Sequence, residues 1–169
     1  MGKRKKPEEK IVYRIRYYER SEPRYNYLKY WRAVRYWVKR NYNVSSSDLE
    51  MILFLYDERL FTKSDFAVYE KIQGWDKKRF YRMVDEGWIR CWKTRAERKG
   101  KAGLYEVSKA GRRLCSSVYK KLNGEEDFST SPDENVIFKR KKYNDKIYAM
   151  EMIRINRQNR ELILRRQPE

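Results

Sequence analysis

The sequence predicts a mainly helical α+β fold, and three features carry that expectation. Apolar residues recur at three- and four-residue steps through several stretches, the signature of helices with one buried face. Helix-start clusters, Ser45-Ser46-Ser47-Asp48, Thr62-Lys63-Ser64-Asp65 and Ser108, precede three of those stretches. Two strand-like runs, 88–95 and 104–107, flank one polar, Gly-containing loop, which is the pattern of a single hairpin.

The elements follow in order. Residues 1–10 form a charged, Pro-containing arm with no hydrophobic period. Over 11–18 the chain alternates, with Ile11, Tyr13, Ile15 and Tyr17 on one side and Val12, Arg14, Arg16 and Tyr18 on the other, as a strand does. Ser21-Glu22-Pro23 breaks it. Residues 24–40 then read as a helix with Tyr27, Tyr30, Trp31, Val34 and Val38 along one stripe. Helical spacing accounts for the aromatics Tyr27, Tyr30, Trp31 and Trp37, which are read as core or subunit surface rather than as a base-stacking platform. The next helix, with Leu49, Ile52, Leu53 and Tyr56 widened by Phe54 and Leu55, is apolar enough to be the centre of the core. Thr62 opens another, where Asp65 can reach back as a variant capping box and Phe66, Tyr69 and Ile72 supply the stripe. Gln73-Gly74 ends it. A short helix runs from Trp75-Asp76 to Glu86 with Phe80, Met83 and Val84 buried, and Gly87 stops it where a left-handed residue is favoured. After the hairpin, Ser108 caps a helix carrying Leu114, Val118 and Leu122, closed by Asn123-Gly124. Residues 125–133, acidic and rich in Ser, Thr and Pro, read as a flexible linker. The last helix places Tyr148, Met152, Ile155 and Leu162 on a stripe suited to pairing with another helix.

Charge bounds the function. The chain carries 42 Lys+Arg against 24 Asp+Glu, a net charge of +18. It is unevenly spread: residues 1–42 hold 14 basic and 4 acidic groups, 43–74 hold 3 and 6, 75–123 hold 15 and 5, and 124–169 hold 10 and 9. A uniform solubility device would not skip the middle block, so the two basic blocks point to a polyanionic partner. With no histidine and only Cys91 and Cys115, a four-ligand Cys/His zinc site cannot be assembled in one chain, and the commonest acid–base residue is missing. The two cysteines are expected to pack as small hydrophobes. No Gly-rich phosphate loop, nucleophile elbow or metal motif is present, so the expectation is a non-enzymatic protein without cofactor, metal or small-molecule substrate. The absence of an apolar run of membrane-spanning length and of a signal peptide predicts an intracellular protein, cytoplasmic or nucleoid-associated, or one carried in a virus particle.

Helix, helix, turn, helix and a hairpin with a basic tip is the order of a winged helix-turn-helix, here with flanking N- and C-terminal helices. In that arrangement the helix over 75–86 enters the major groove of DNA and the wing over 95–103 lies along the backbone. The residues suited to contact are Lys77, Lys78, Arg79, Tyr81 and Arg82 on the helix and Arg95, Arg98, Lys99 and Lys101 in the wing. Lys3, Arg4, Lys5 and Lys6 add backbone contacts, serve as a localisation signal, or only keep the chain in solution.

Residues 45–124 resemble the MarR-like branch of winged-helix transcriptional regulators. Met83-Val84-Asp85-Glu86-Gly87-Trp88-Ile89 is similar to that family's Leu-Glu-x-x-Gly-Leu-Ile junction, and Tyr105-Glu106-Val107-Ser108-Lys109-Ala110-Gly111 to its Leu-Thr-x-x-Gly pattern. The resemblance implies duplex DNA binding, transcription control and a homodimer made by the helices over 24–40 and 142–160. Where the family's wing has Asp-x-Arg, this chain has Glu97-Arg98-Lys99. The expected organisation is a basic arm and strand over 1–23, the winged-helix domain over 24–124, a linker over 125–141, and a C-terminal helix over 142–169 that pairs with its own copy or another protein. Winged helices also dock proteins, so the alternative is a structural or adaptor component of a nucleic-acid-containing assembly, such as a virus particle, polymerase or ribonucleoprotein complex.

Overall fold

The computed structural model describes residues 27–165, so the arm over 1–10 and the strand expected over 11–18 lie outside the described residues. These residues are mainly helical with a small antiparallel sheet: α1 (Tyr27–Tyr42), α2 (Ser46–Glu58), α3 (Lys63–Gln73), α4 (Lys77–Asp85), β1 (Ile89–Lys93), β2 (Leu104–Val107), α5 (Lys109–Asn123), a 3-10 turn (Val136–Lys139) and α6 (Tyr143–Arg165).

Local chemistry sets the boundaries. Ser45 and Thr62 each accept the backbone N–H three residues on, from Asp48 at 3.2 Å and Asp65 at 3.1 Å. Asp65 accepts the Thr62 N–H at 2.8 Å in return, completing the reciprocal box. Ser108 caps α5 through the Gly111 N–H at 3.2 Å. Gly74, Gly87 and Gly124 take positive φ at the stops the sequence predicts.

The core is built on α2. Leu49, Met51, Ile52 and Leu55 are fully buried, in one cluster with Val34 and Val38 of α1 and Leu114, Cys115 and Val118 of α5. Burying each such Leu or Ile stabilises the fold by about 1.5–3 kcal/mol. Burial also pushes the Cys115 thiol up to about 12, so it behaves as a hydrophobe; Cys91, expected to do the same, is exposed. On α3, Phe66 is buried and Tyr69 partly so, but Ile72 is 72 % exposed, which narrows the predicted stripe.

In the hairpin Ile89 pairs with Val107, Arg90 with Glu106 and Cys91 with Tyr105; a bulge at Trp92 then sets Lys93 opposite Leu104. Phe61, between α2 and α3, bridges to Tyr105 from the other side, donating its N–H at 3.0 Å and accepting the Tyr105 N–H at 2.8 Å. Burial of the Glu106 carboxyl pushes its pKa up, yet Arg112 of α5 and Arg90 of β1 hold it below the usual range through bonds of 2.7 Å each. That network ties the hairpin to α5.

Residues 125–141 correct the sequence reading. They pack instead of standing free as a linker: Phe128, Asn135 and Ile137 are buried. Asn156 of α6 clamps Phe128 through both backbone groups, at 2.9 and 2.8 Å, and Asn41 of α1 bonds Asn135 and the Val136 N–H at 3.1 and 3.0 Å. The stripe of α6 expected to meet a partner, Tyr148, Met152 and Ile155, is likewise covered within the chain, with Tyr148 stacked on Tyr36 of α1 at 4.0 Å. The side chain of Leu162, the last residue of that stripe, lies outside what is described, and from Tyr148 to Ile155 the stripe is not open to a second chain.

Candidate nucleic-acid interface

Helix α4 is held by one aromatic anchor. The Phe80 ring lies 4.8 Å from that of Phe66, 5.2 Å from Tyr105 and 6.5 Å from Phe61, joining α3, the hairpin and the bridge residue. Asp76 caps the helix through the Lys78 N–H at 3.0 Å. With Phe80 and Met83 buried, helical geometry turns Lys78, Tyr81, Arg82 and Asp85 to the opposite, exposed side. Lys77 opens the helix; its side chain lies outside what is described.

The two arginines differ from the exposed Lys78. Arg79 is turned partly inward, its Nε 3.5 Å from Asp48 Oδ1. Arg82 donates to the same Asp48 oxygen at 2.5 Å and lies 3.7 Å from Glu86. Asp48 is itself buried, in the first turn of α2, where Ser45 donates its hydroxyl to the second carboxylate oxygen at 2.5 Å. A buried carboxylate shared by two guanidiniums draws both toward the body of the protein and lowers the charge that α4 offers outward.

Sequence reasoning passed over Lys63. Its ammonium sits 5.0 Å from the Tyr81 ring centroid and 5.8 Å from that of Tyr105, so it links the start of α3 to the exposed face of α4 and to β2. Lys63 also lines a cleft of about 380 Å³ with Cys91, Thr94, Arg95, Gly103 and Tyr105 at the base of the hairpin loop.

The loop is shaped by its own side chains. Thr94 donates its N–H and its hydroxyl to Glu97 at 2.6 and 2.8 Å, which holds the Glu97 carboxyl below its usual range. Arg95 donates to the Gly100 carbonyl at 3.1 Å and Arg98 to the Ala102 carbonyl. Lys99 and Gly100 turn the tip with φ of 51° and 86°. Lys93, Lys99 and Lys101 are exposed around it. The structure thus brings Lys63 of α3 against Tyr81 of α4 and beside Arg95 at the base of the loop, while Lys78 is exposed on α4 and Arg79 and Arg82 are both held by Asp48. Lys3, Arg4, Lys5 and Lys6 lie outside the described residues.

Such a surface offers ammonium and guanidinium donors, which bond phosphate oxygens or acceptor edges of bases, and a phenol that can stack or donate. Among the described residues no helix is long and apolar enough to cross a membrane. Comparison with protein-family models, with curated proteins and with solved structures finds no match to this chain.

Proposed function

We propose that this protein is a winged helix-turn-helix that binds duplex DNA, with α4 in the major groove and the β1–β2 loop on the flanking backbone, acting as a regulator by binding rather than by catalysis. The observation that carries the reading is Lys63, set between the Tyr81 ring of α4 and Arg95 at the base of a hairpin loop that exposes further cations, on a frame of helix, single-residue bridge, helix, helix and hairpin. That frame and the junction residues 83–89 and 105–111 support kinship with MarR-like regulators. Fluorescence anisotropy against duplex DNA over a salt series tests it. Binding through six to ten phosphates weakens by about 10³–10⁵ between about 50 and 200 mM salt. Changing the exposed Lys78, Lys99 and Lys101 to Ala is expected to weaken binding by about tenfold or more and to flatten the log–log salt slope by about 0.9 per lost phosphate contact. Unchanged affinity and slope would remove α4 and the loop from the interface.

One observation favours a second reading, a component of a nucleic-acid assembly with little sequence preference. Arginine is the side chain best suited to guanine edges, and both arginines of α4 are engaged by Asp48. A regulator should prefer one duplex sequence over random duplex by about a thousandfold, whereas the assembly component should show near-equal affinity.

A further inference from the structure

We propose that a second cationic surface, formed by the end of α1, residues 139–142 and the first turns of α6, holds the phosphate backbone of the same nucleic acid beyond the reach of α4 and the hairpin loop. The inference rests on the duplex-binding reading above. Lys39, Lys139, Arg140, Lys141, Lys142 and Lys146 are all exposed. The carboxylate within that run, Asp145, is 0 % exposed and already committed. It accepts from Arg40 at 2.8 and 3.0 Å, from the Tyr36 hydroxyl at 2.8 Å and from the Lys142 N–H at 3.0 Å. The one acidic group of the run is therefore spent on construction, and the cations around it face solvent uncompensated by it.

The run is also fixed in place. Ile137 and Asn135, both buried, anchor the 3-10 turn, Asn41 of α1 bonds it, and Asp145 clamps the start of α6 to the end of α1. A surface built in this way has lost much of the conformational freedom of a charged tail, so binding a polyanion costs less ordering entropy. The surface adjoins the elements that carry α4. The end of α1 abuts the chain leaving α4, with the Tyr42 and Trp88 rings 6.4 Å apart, and the next helix supplies Asp48 to Arg79 and Arg82 of α4. Lysine dominates the run, and compact ammonium charges suit a phosphate backbone better than planar base edges. Tyr143, 78 % exposed beside them, supplies a ring and hydroxyl at the same surface.

The test compares the parent with a Lys139→Glu/Lys141→Glu/Lys142→Glu variant on duplexes of about 12 and 30 base pairs, in equal salt. A Lys109→Glu/Arg113→Glu/Lys120→Glu variant on α5 controls for net charge. The parent should bind the long duplex more tightly than its extra registers explain. The 139–142 variant should lose that gain, about tenfold or more, while its short-duplex affinity and melting temperature match those of the α5 control. Three results overturn the proposal: a length gain that survives in the 139–142 variant, an equal loss in the α5 control, or a variant whose defect is in sedimentation with phosphatidylserine vesicles and not on DNA. If the parent binds neither duplex, the duplex-binding reading itself fails and takes this inference with it; binding of the short duplex alone leaves that reading intact and overturns only this one.

Discussion

At the scale of single residues, two buried aspartates do different work. Asp48 accepts the hydroxyl of Ser45, the cap of α2, and restrains Arg79 and Arg82, so it serves stability at the expense of charge presented by α4. Replacing it by Asn keeps a side chain that can accept the Ser45 hydroxyl but removes the charge that holds both guanidiniums. Asp48→Asn is expected to lower stability by about 1–2 kcal/mol in denaturant unfolding, the pair being discounted because Arg82 is half exposed. The same variant should bind duplex DNA about three- to tenfold more tightly, since one freed phosphate contact is worth on the order of 1 kcal/mol. Equal or weaker binding would show that the Asp48 tether pre-orients Arg82 for its contact. Asp145 has no exposed face. Burial alone would push its carboxyl up, but Arg40, Tyr36 and the Lys142 amide together hold it below the usual range. A depressed folded pKa means stability that is complete above the unfolded value, about 3.9, and is lost as pH falls through the folded value. Asp145→Asn should therefore cost about 3 kcal/mol at neutral pH, and the melting curves of variant and parent should converge as pH drops below about 4. A difference that persists at low pH would place the effect in packing and not in the charge.

At the scale of elements, the junction of the hairpin with α5 turns on Gly111. A Cβ there would sit 2.5 Å from Val107 Cγ1 and 3.0 Å from the Trp88 carbonyl, so the first turn of α5 can lie against both strands only without a side chain. Gly111→Ala is expected to destabilise by about 1–3 kcal/mol despite alanine's better helix propensity. Hydrogen exchange should locate the loss in β1, β2 and the start of α5; a stabilised variant would refute the close approach. What was legible in the sequence follows from range. The Thr62–Asp65 box, the Ser108 cap and the glycine stops depend on neighbours within a few residues, and the helices on a period. Phe61 was missed because a single bridging residue has no period. The segment 125–141 was misread because its composition is that of a linker, while its anchors, Phe128, Asn135 and Ile137, are isolated and find partners on α1 and α6. The basic face of α4 was legible residue by residue, but the contrast between the outward Lys78 and the tethered Arg79 and Arg82 depends on Asp48, 34 positions before Arg82.

At the scale of the whole molecule, charge sets two opposing responses to salt. A chain at +18 repels itself in the compact state, and that repulsion is screened over a Debye length of about 10 Å at 0.1 M salt. The pairs that hold the fold are local and mostly sheltered: Asp145 with Arg40, Glu106 with Arg90 and Arg112, and the buried Lys121 with Glu126 at 2.7 Å between the Trp37 and Phe128 rings. Sheltered pairs are screened far less than the long-range field of exposed lysines. Raising salt from about 20 to 300 mM should therefore raise the melting temperature of the free protein by several degrees while it weakens duplex binding steeply. In the presence of excess duplex the trend should reverse. Bound polyanion neutralises the same field at low salt and stabilises the folded state by mass action, and salt then removes it. Differential scanning fluorimetry with and without duplex reads both slopes in one experiment. Crossing curves are the expected result; parallel curves would mean that the cations on α4, the hairpin loop and the 139–146 surface do not meet the nucleic acid as one field.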